Sequence, residues 1–244
     1  MNKFVNFFYP PRCQLCGCRD HLLYAGQLCA SCAGDLRSNE TPCQVCAVPM
    51  SLSHGGEHQQ SSICGYCTKI SPIYDFCWSP FIYSQPLEWM IQQLKFNAKL
   101  HFAPLLSNLM EEKICHNPPQ HLLQINKPEV IIPMPLHNRR LKLRGFNQSY
   151  LLIKPVAKRL DLPIDLNSCE RVRDTEHQTG KNARQRQQNI KNAFVFNNKH
   201  SYQHVAIFDD VVTTGSSVSE LSKELKKGGV KRVDVWCLAR SEKN

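Results

Sequence analysis

The clearest pattern in the chain is a short apolar run that is followed by two acids, a turn of small residues and a helical repeat. Residues 205–208 are apolar and rich in β-branched or aromatic side chains, which is typical of a buried parallel strand. The acids Asp209 and Asp210 come next. Apolar residues then recur at spacings of three and four from Val218 to Leu225, and a Gly-Gly pair follows. The pattern predicts a strand, a turn and a helix in this order.

Other apolar segments extend this pattern. Residues 130–132 predict a second strand, and the apolar stripe over 151–160 predicts a helix after it. Alternation over 233–237 predicts a closing strand, while the stripes within 81–114 predict helices that face the core. We therefore expect an α/β fold with an open, mainly parallel sheet, which binds its ligands at the carboxyl ends of the strands.

The distribution of charge divides the chain into two parts. The 244 residues include 30 Lys+Arg and 20 Asp+Glu, a formal net charge of +10, and 42% are hydrophobic, enough for an ordinary core. Residues 1–80 contain as many acidic as basic residues and most of the 13 cysteines, so the whole excess charge lies after them. We expect a small cysteine-rich module at 1–75 and a basic domain at 76–244.

The chain also lacks the signals of a membrane or secreted protein. No stretch approaches the ~20 apolar residues of a membrane helix, and Pro10-Pro11 ends the first apolar segment too early for a signal peptide. We expect a cytoplasmic protein without membrane insertion. Because the cytosol is reducing, metal binding explains the cysteines better than disulfides do.

Eight of the cysteines form four C-x-x-C pairs, a spacing that suits structural zinc. Two such pairs place four thiolates around one Zn²⁺, which leaves no position for a substrate. The expected zinc ligands are Cys13, Cys16, Cys29 and Cys32 on one ion, and Cys43, Cys46, Cys64 and Cys67 on the other. Spacing alone also allows an interleaved pairing, a histidine ligand, iron–sulfur ligation or a redox role, and zinc ribbons are the preferred interpretation.

The turn after the acids has the residues of a phosphate-binding loop. Backbone N–H groups at the start of the helix, together with the nearby hydroxyls, can bind a phosphate. Paired acids at the end of the strand suit the vicinal hydroxyls of a ribose. The loop residues are Thr213, Thr214, Gly215, Ser216 and Ser217. The simpler alternative is a strand–turn–helix whose acids only cap the helix.

Three sequence segments together carry a family resemblance. IFDDVVTTGSS at 207–217 resembles the phosphoribosyl pyrophosphate (PRPP) loop of type I phosphoribosyltransferases. The segments IIPMPLHNRRLKLRGFNQS at 131–149 and HQTGKNARQRQQNIKNAF at 177–194, with the cysteine pairs in front, resemble the ComF/GntX family of competence proteins. The resemblance covers almost the full chain and implies a fold of the type I phosphoribosyltransferase class behind a double zinc ribbon.

The resemblance implies roles for individual residues. Asp209 and Asp210 would hold the ribose hydroxyls of PRPP, at the position of the catalytic acids, and residues 213–217 would wrap its 5′-phosphate. Gly215 would let the backbone approach that phosphate closely. The turn at Pro133 and Met134 matches the pyrophosphate loop, and Mg²⁺ would bridge pyrophosphate and ribose oxygens.

The basic residues between 131 and 194 exceed what a pyrophosphate needs. This interval holds 13 basic and 5 acidic residues, so some cations are expected to serve a larger anion such as single-stranded DNA. The candidate DNA contacts are Arg139, Arg140, Lys142, Arg144, Lys181, Arg184 and Arg186. A solvated basic loop is the alternative for the later segment.

Two functions agree with these features. The family resemblance favours a protein of DNA uptake in natural transformation, which handles internalised single strands, carries a PRPP pocket and has a partner in the uptake or helicase machinery. The alternative is an active phosphoribosyltransferase whose acceptor is unknown. The glutamine-dependent members use an N-terminal cysteine, whereas this sequence begins Met1-Asn2-Lys3, so we expect no glutamine amidotransferase activity.

Overall fold

The N-terminal segment is built from short elements around the cysteine pairs. The computed structural model describes residues 10–50, 63–116, 118, 127–174 and 189–242. Strands β1 (Leu22–Leu23) and β2 (Leu28–Cys29) pair antiparallel, and helix α1 (Ala30–Gly34) follows directly. Helix α2 (Gly65–Lys69) begins after Cys64. Each element is only a turn or a few residues long, as in zinc ribbons.

The remaining strands form a parallel sheet and a small antiparallel pair. The strands are β3 (Phe76–Trp78), β4 (Phe81–Ile82), β5 (Val130–Pro133), β6 (Cys169–Arg171), β7 (Phe194–Phe196), β8 (His204–Val212) and β9 (Arg232–Arg240). The sheet order is β3-β9-β8-β5, β4 also pairs with β9, and every pairing in this sheet is parallel. Strands β6 and β7 pair antiparallel beside it. The α/β class and the mainly parallel sheet predicted from the sequence are confirmed.

Helices cover both faces of the sheet, and two hydrophobic clusters result. The helices are α3 (Leu87–Asn97), α4 (Phe102–His116), α5 (Asn138–Arg144), α6 (Gln148–Leu160) and α7 (Ser216–Lys227). Alternate strand residues point to opposite faces. Ala206 and Phe208 therefore pack with α3, α4 and α6, whereas Val205 and Ile207 pack with α7.

The central strand is longer than the apolar run that predicted it. Strand β8 continues through the two acids to Val212, because it pairs with β9 as far as Val212 opposite Arg240. The predicted helix after it is present, and it ends at Lys227 with Gly228 as the C-cap. Among the described residues, no helix combines the length and the apolar character needed to cross a membrane.

The cysteine-rich segment packs directly on the α/β part. Leu28 and Leu36 are buried in the same cluster as residues of α3 and α4. The Ile82 amide donates to the carbonyl of Arg37 at 2.9 Å, and the Asn39 amide donates to that of Pro80 at 2.9 Å. The division into 1–75 and 76–244 stays a prediction, and the two parts share a hydrophobic interior.

Candidate functional site

Parallel pairing brings the two predicted ligand loops to one edge of the sheet. Strands β5 and β8 run in register, with Pro133 opposite Phe208. The Met134 amide donates to the carbonyl of Phe208 at 2.7 Å, and the Asn147 side chain donates to the carbonyl of Met134 at 3.1 Å. The turn at Pro133 and Met134 therefore lies beside the acids of β8, at the carboxyl ends of the strands.

The predicted phosphate loop, residues 213–217, follows β8 and includes the start of α7. Gly215 is the N-cap of α7 and has a left-handed φ of 77°. The first N–H groups of a helix have no partner inside it, so they can bind an anion. The Ser216 amide donates to the Thr214 hydroxyl at 3.4 Å, and the hydroxyls of Thr214 and Ser216 lie 2.9 Å apart. The loop thus offers amides and hydroxyls to a phosphate.

The structure gives a conformational reason for Gly215. The sequence predicted a glycine that allows a phosphate to approach the backbone. A Cβ at this position would lie 3.9 Å from the Tyr74 hydroxyl and from a Val212 methyl, which are ordinary contacts. The positive φ is what favours glycine, because other L-residues pay about 1–2 kcal/mol in the left-handed region.

The acids Asp209 and Asp210 differ in their surroundings. Burial, with Asp210 as the next cause, raises the pKa of Asp209 well above its usual value. Burial would also raise the pKa of Asp210, but the Lys95 ammonium outweighs it and holds the pKa below the usual value. Lys95 Nζ lies 2.5 Å from Asp210 Oδ2. The Ser149 hydroxyl donates to Asp209 Oδ1 at 3.2 Å.

Cations surround the acids in a cavity of about 310 Å³. The cationic residues that line it are Lys95, Arg140, Arg144 and Arg171. Arg144 donates to Gln148 Oε1, and burial lowers the pKa of its guanidinium. Burial, followed by the neighbouring Arg140, lowers the pKa of Arg171 to about 10. Acids on the sheet side and several cations around them suit a ligand that combines hydroxyls with phosphate groups.

The predicted DNA contacts fall into two sets. Arg140 and Arg144 line the cavity, whereas Arg139 and Lys142 are exposed on α5. Arg139 and Arg140 both lie near Asp174, with nitrogen–oxygen distances of 3.6 and 3.2 Å. The other candidates, Lys181, Arg184 and Arg186, lie outside the described residues. The predicted DNA contacts on α5 are therefore divided between the cavity and the surface next to it.

The eight paired cysteines form two groups of four. Within each group the sulfur atoms all lie within 4.8 Å of one another; the groups are Cys13, Cys16, Cys29, Cys32 and Cys43, Cys46, Cys64, Cys67. The sulfurs of Cys16 and Cys29 are 3.6 Å apart, and those of Cys46 and Cys64 are 3.7 Å apart. A tetrahedral ion with Zn–S bonds of ~2.3 Å needs sulfurs ~3.8 Å apart. The two groups fit two structural zinc ions, in the sequential pairing expected from the spacing.

Sequence reasoning missed two cations of this region. Lys95 belongs to a helix that the apolar stripe assigned to the core, and nothing in its local pattern distinguishes it from a solvent-facing lysine. Arg240 lies at the end of β9 and is 1% exposed. Both contact residues that are far away in the sequence, so only the fold reveals them.

Comparison with known proteins gives one domain match and several full-length relatives. Residues 4–69 match the model of the double zinc ribbon domain. Competence protein F of Haemophilus influenzae is 36% identical over 244 residues, which cover 99% of this chain and all of that protein. DNA utilization protein YhgH of Escherichia coli (strain K12) is 36% identical over 232 residues, 95% of this chain and 98% of that protein. YhgH of Salmonella typhimurium is 35% identical over the same length.

Proposed function

Because the chain belongs to the family of competence protein F and the DNA utilization protein YhgH, we propose that it acts in DNA uptake during natural transformation. In this role it handles internalised single-stranded DNA in the cytoplasm, beside other proteins of the uptake machinery. The names of the relatives support the general role. The finer assignments depend on the chemistry of the site.

The cavity at the carboxyl edge is proposed to bind PRPP with Mg²⁺. The observation that carries this is the juxtaposition of Asp209 and Asp210, the phosphate loop and Met134 around one cavity, with Pro133 just before Met134 at the end of β5. Residues 213–217 would hold the 5′-phosphate, and the acids would hold the ribose hydroxyls. Carboxylate and phosphate oxygens are the ligands that Mg²⁺ prefers, so the oxygens gathered here fit this ion.

The single-stranded DNA is proposed to bind next to the cavity, through cations of α5 and of the following basic segment. Arg139 and Lys142 are exposed and lie on the same helix as Arg144, which lines the cavity. Contacts to a phosphate backbone make the affinity fall steeply with salt. A strand of DNA and a small phosphorylated sugar can thus use neighbouring cations of one surface.

Matched variants test these two assignments. Arg139→Ala and Lys142→Ala are expected to reduce the salt dependence of oligonucleotide binding, by about 0.7 in the logarithmic slope per contact, and to leave PRPP affinity unchanged. Arg144→Ala is expected to weaken PRPP binding in calorimetry. Lys199→Ala is the control, since it removes the same charge from an exposed site before the amino end of β8. If all four variants change oligonucleotide binding and PRPP binding equally, the proposal of separate surfaces for DNA and PRPP is refuted.

A second cavity favours the alternative function, phosphoribosyl transfer. It has a volume of about 410 Å³ and is lined by Pro133, Asn167 and Tyr150 among others. Leu136 and Arg171 line both cavities, so an acceptor there would lie next to the ribose. Release of pyrophosphate from PRPP by the wild type, abolished in Asp209→Ala, would support this function. DNA binding that survives Asp209→Ala without any turnover would favour the DNA-handling role alone.

A further inference from the structure

The second cysteine group, formed by Cys43, Cys46, Cys64 and Cys67, lies on the same face of the sheet as the phosphate loop. Three of its cysteines are buried in one hydrophobic cluster with Val212 and Val218, which flank the loop. The first group contributes Cys13 and Cys29 to the other cluster, on the face covered by α3, α4 and α6. The two groups therefore differ in their contact with the ligand site.

A buried arginine joins the second group to the loop. Arg240 Nε donates to the carbonyl of Cys46 at 2.9 Å. Its Nη1 donates to the carbonyl of Val212 at 2.9 Å and also to that of Thr213. A guanidinium removed from water needs such partners, because an unsatisfied buried charge costs several kcal/mol. Arg240 thus fixes the turn of the cysteine group against the first residues of the loop.

Further contacts stabilise both ends of this connection. The turn that carries the Cys46 carbonyl is closed by the Ala47 amide, which donates to the carbonyl of Cys43 at 2.9 Å. The amide of Cys64 donates to the sulfur of Cys43 at 3.2 Å, a contact between the two pairs of the group. At the other end, Tyr74 is buried and its hydroxyl faces Gly215. A metal ion that holds the four sulfurs together therefore also holds the Cys46 carbonyl in place.

We infer that the second zinc group and Arg240 position the phosphate loop, so that zinc occupancy there sets the affinity of the cavity for phosphorylated ligands. Arg240 is a positioning residue, because its guanidinium donates to the carbonyl oxygens of Val212 and Thr213 and does not occupy the loop amides that would bind the ligand. Loss of the second zinc releases the Cys46 carbonyl and loosens residues 212–217. The first zinc group has no such connection among the described residues. The inference rests on the proposed phosphate site.

The test compares one variant of each cysteine group in the full-length protein. Cys67→Ser and Cys32→Ser are each expected to lose one zinc ion, measured by elemental analysis. Only Cys67→Ser is expected to raise the PRPP dissociation constant, by about tenfold or more, the effect of a lost hydrogen bond to a charged group. Amide hydrogen exchange of residues 212–217 is expected to accelerate in this variant alone. The inference is overturned if the two variants change the PRPP dissociation constant and the amide exchange of residues 212–217 equally. It is also overturned if a zinc-depleted Cys67→Ser protein behaves as wild type.

Variants of Arg240 test the hydrogen bonds between the second cysteine group and the loop while both zinc ions stay bound. Arg240→Lys keeps the charge but loses the planar group that reaches several carbonyls, so faster exchange of the loop and weaker PRPP binding are expected with both zinc ions retained. Arg240→Met serves the same purpose if it folds. Wild-type exchange in Arg240→Lys would contradict the inference. If the wild type binds no PRPP, the proposed site fails, while the exchange measurements still decide whether zinc positions the loop.

Discussion

The ion pair between Lys95 and Asp210 supplies the sharpest test of the site. The 2.5 Å distance joins two groups that are removed from water, with side-chain exposures of 19% and 2%. At an effective dielectric constant of ~20, two charges at this distance attract each other by about 7 kcal/mol. Desolvation offsets part of that attraction. Removing one partner of a buried pair leaves the other charge uncompensated and typically costs about 3–5 kcal/mol.

The substitution Lys95→Met keeps the aliphatic stem and removes the ammonium. We expect the free energy of unfolding at pH 7 to fall by about 3–5 kcal/mol, measured by urea denaturation. Because Lys95 lowers the pKa of Asp210, this contribution is fully present above the ordinary aspartate pKa and is lost as the pH falls below it toward the lowered pKa of Asp210. The difference between wild type and variant should therefore shrink as the pH falls through about 4.

Two further variants decide whether the pair itself is responsible. Lys99→Met is the matched control, since Lys99 is exposed and its Nζ lies 5.8 Å from the centre of the Trp89 ring. Its cost should stay below about 1 kcal/mol. The double variant Lys95→Met with Asp210→Asn removes both charges and should recover part of the lost stability. A Lys95→Met cost no larger than the control, or strictly additive effects in the double variant, would refute the reasoning.

Three other predictions concern the acids, the loop and the zinc groups. Burial raises the pKa of Asp209, so the folded state holds this proton more tightly than the unfolded state does and loses stability as the pH rises above about 4. Asp209→Asn should therefore increase the unfolding free energy at pH 7 and lose this gain below about pH 4. The same variant should abolish PRPP binding in calorimetry. Gly215→Ala should cost about 1–2 kcal/mol in urea denaturation through the left-handed φ, with no steric clash. Removal of both zinc ions by a chelator should unfold the cysteine-rich segment and lower the melting temperature of the whole chain, since Leu28 and Leu36 belong to the shared core; an unchanged melting temperature would contradict this.

The parts of the fold that could be predicted are those that local sequence determines. The apolar run before Asp209 and the glycines after α7 are adjacent in sequence to what they specify, and the cysteine pairs carry their own spacing rule. The extension of β8 to Val212 was missed, because its pairing with β9 adds strand residues that a propensity pattern does not identify. Lys95 and Arg240 were missed for the same reason: their partners lie more than 25 residues away.

The charge arrangement also limits where DNA can bind. A strand of DNA presents phosphates and deoxyriboses, and a deoxyribose lacks the vicinal hydroxyls that the paired acids Asp209 and Asp210 suit. A phosphorylated sugar instead meets the acids with hydroxyls and the cations with phosphate, so it satisfies both signs at once. Lys142 and Arg139 are both exposed on α5, and Arg139 lies 3.6 Å from Asp174, an acid outside the cavity. The arrangement thus supports the proposed division, with a small sugar phosphate in the cavity and a strand of DNA on the outer side of α5.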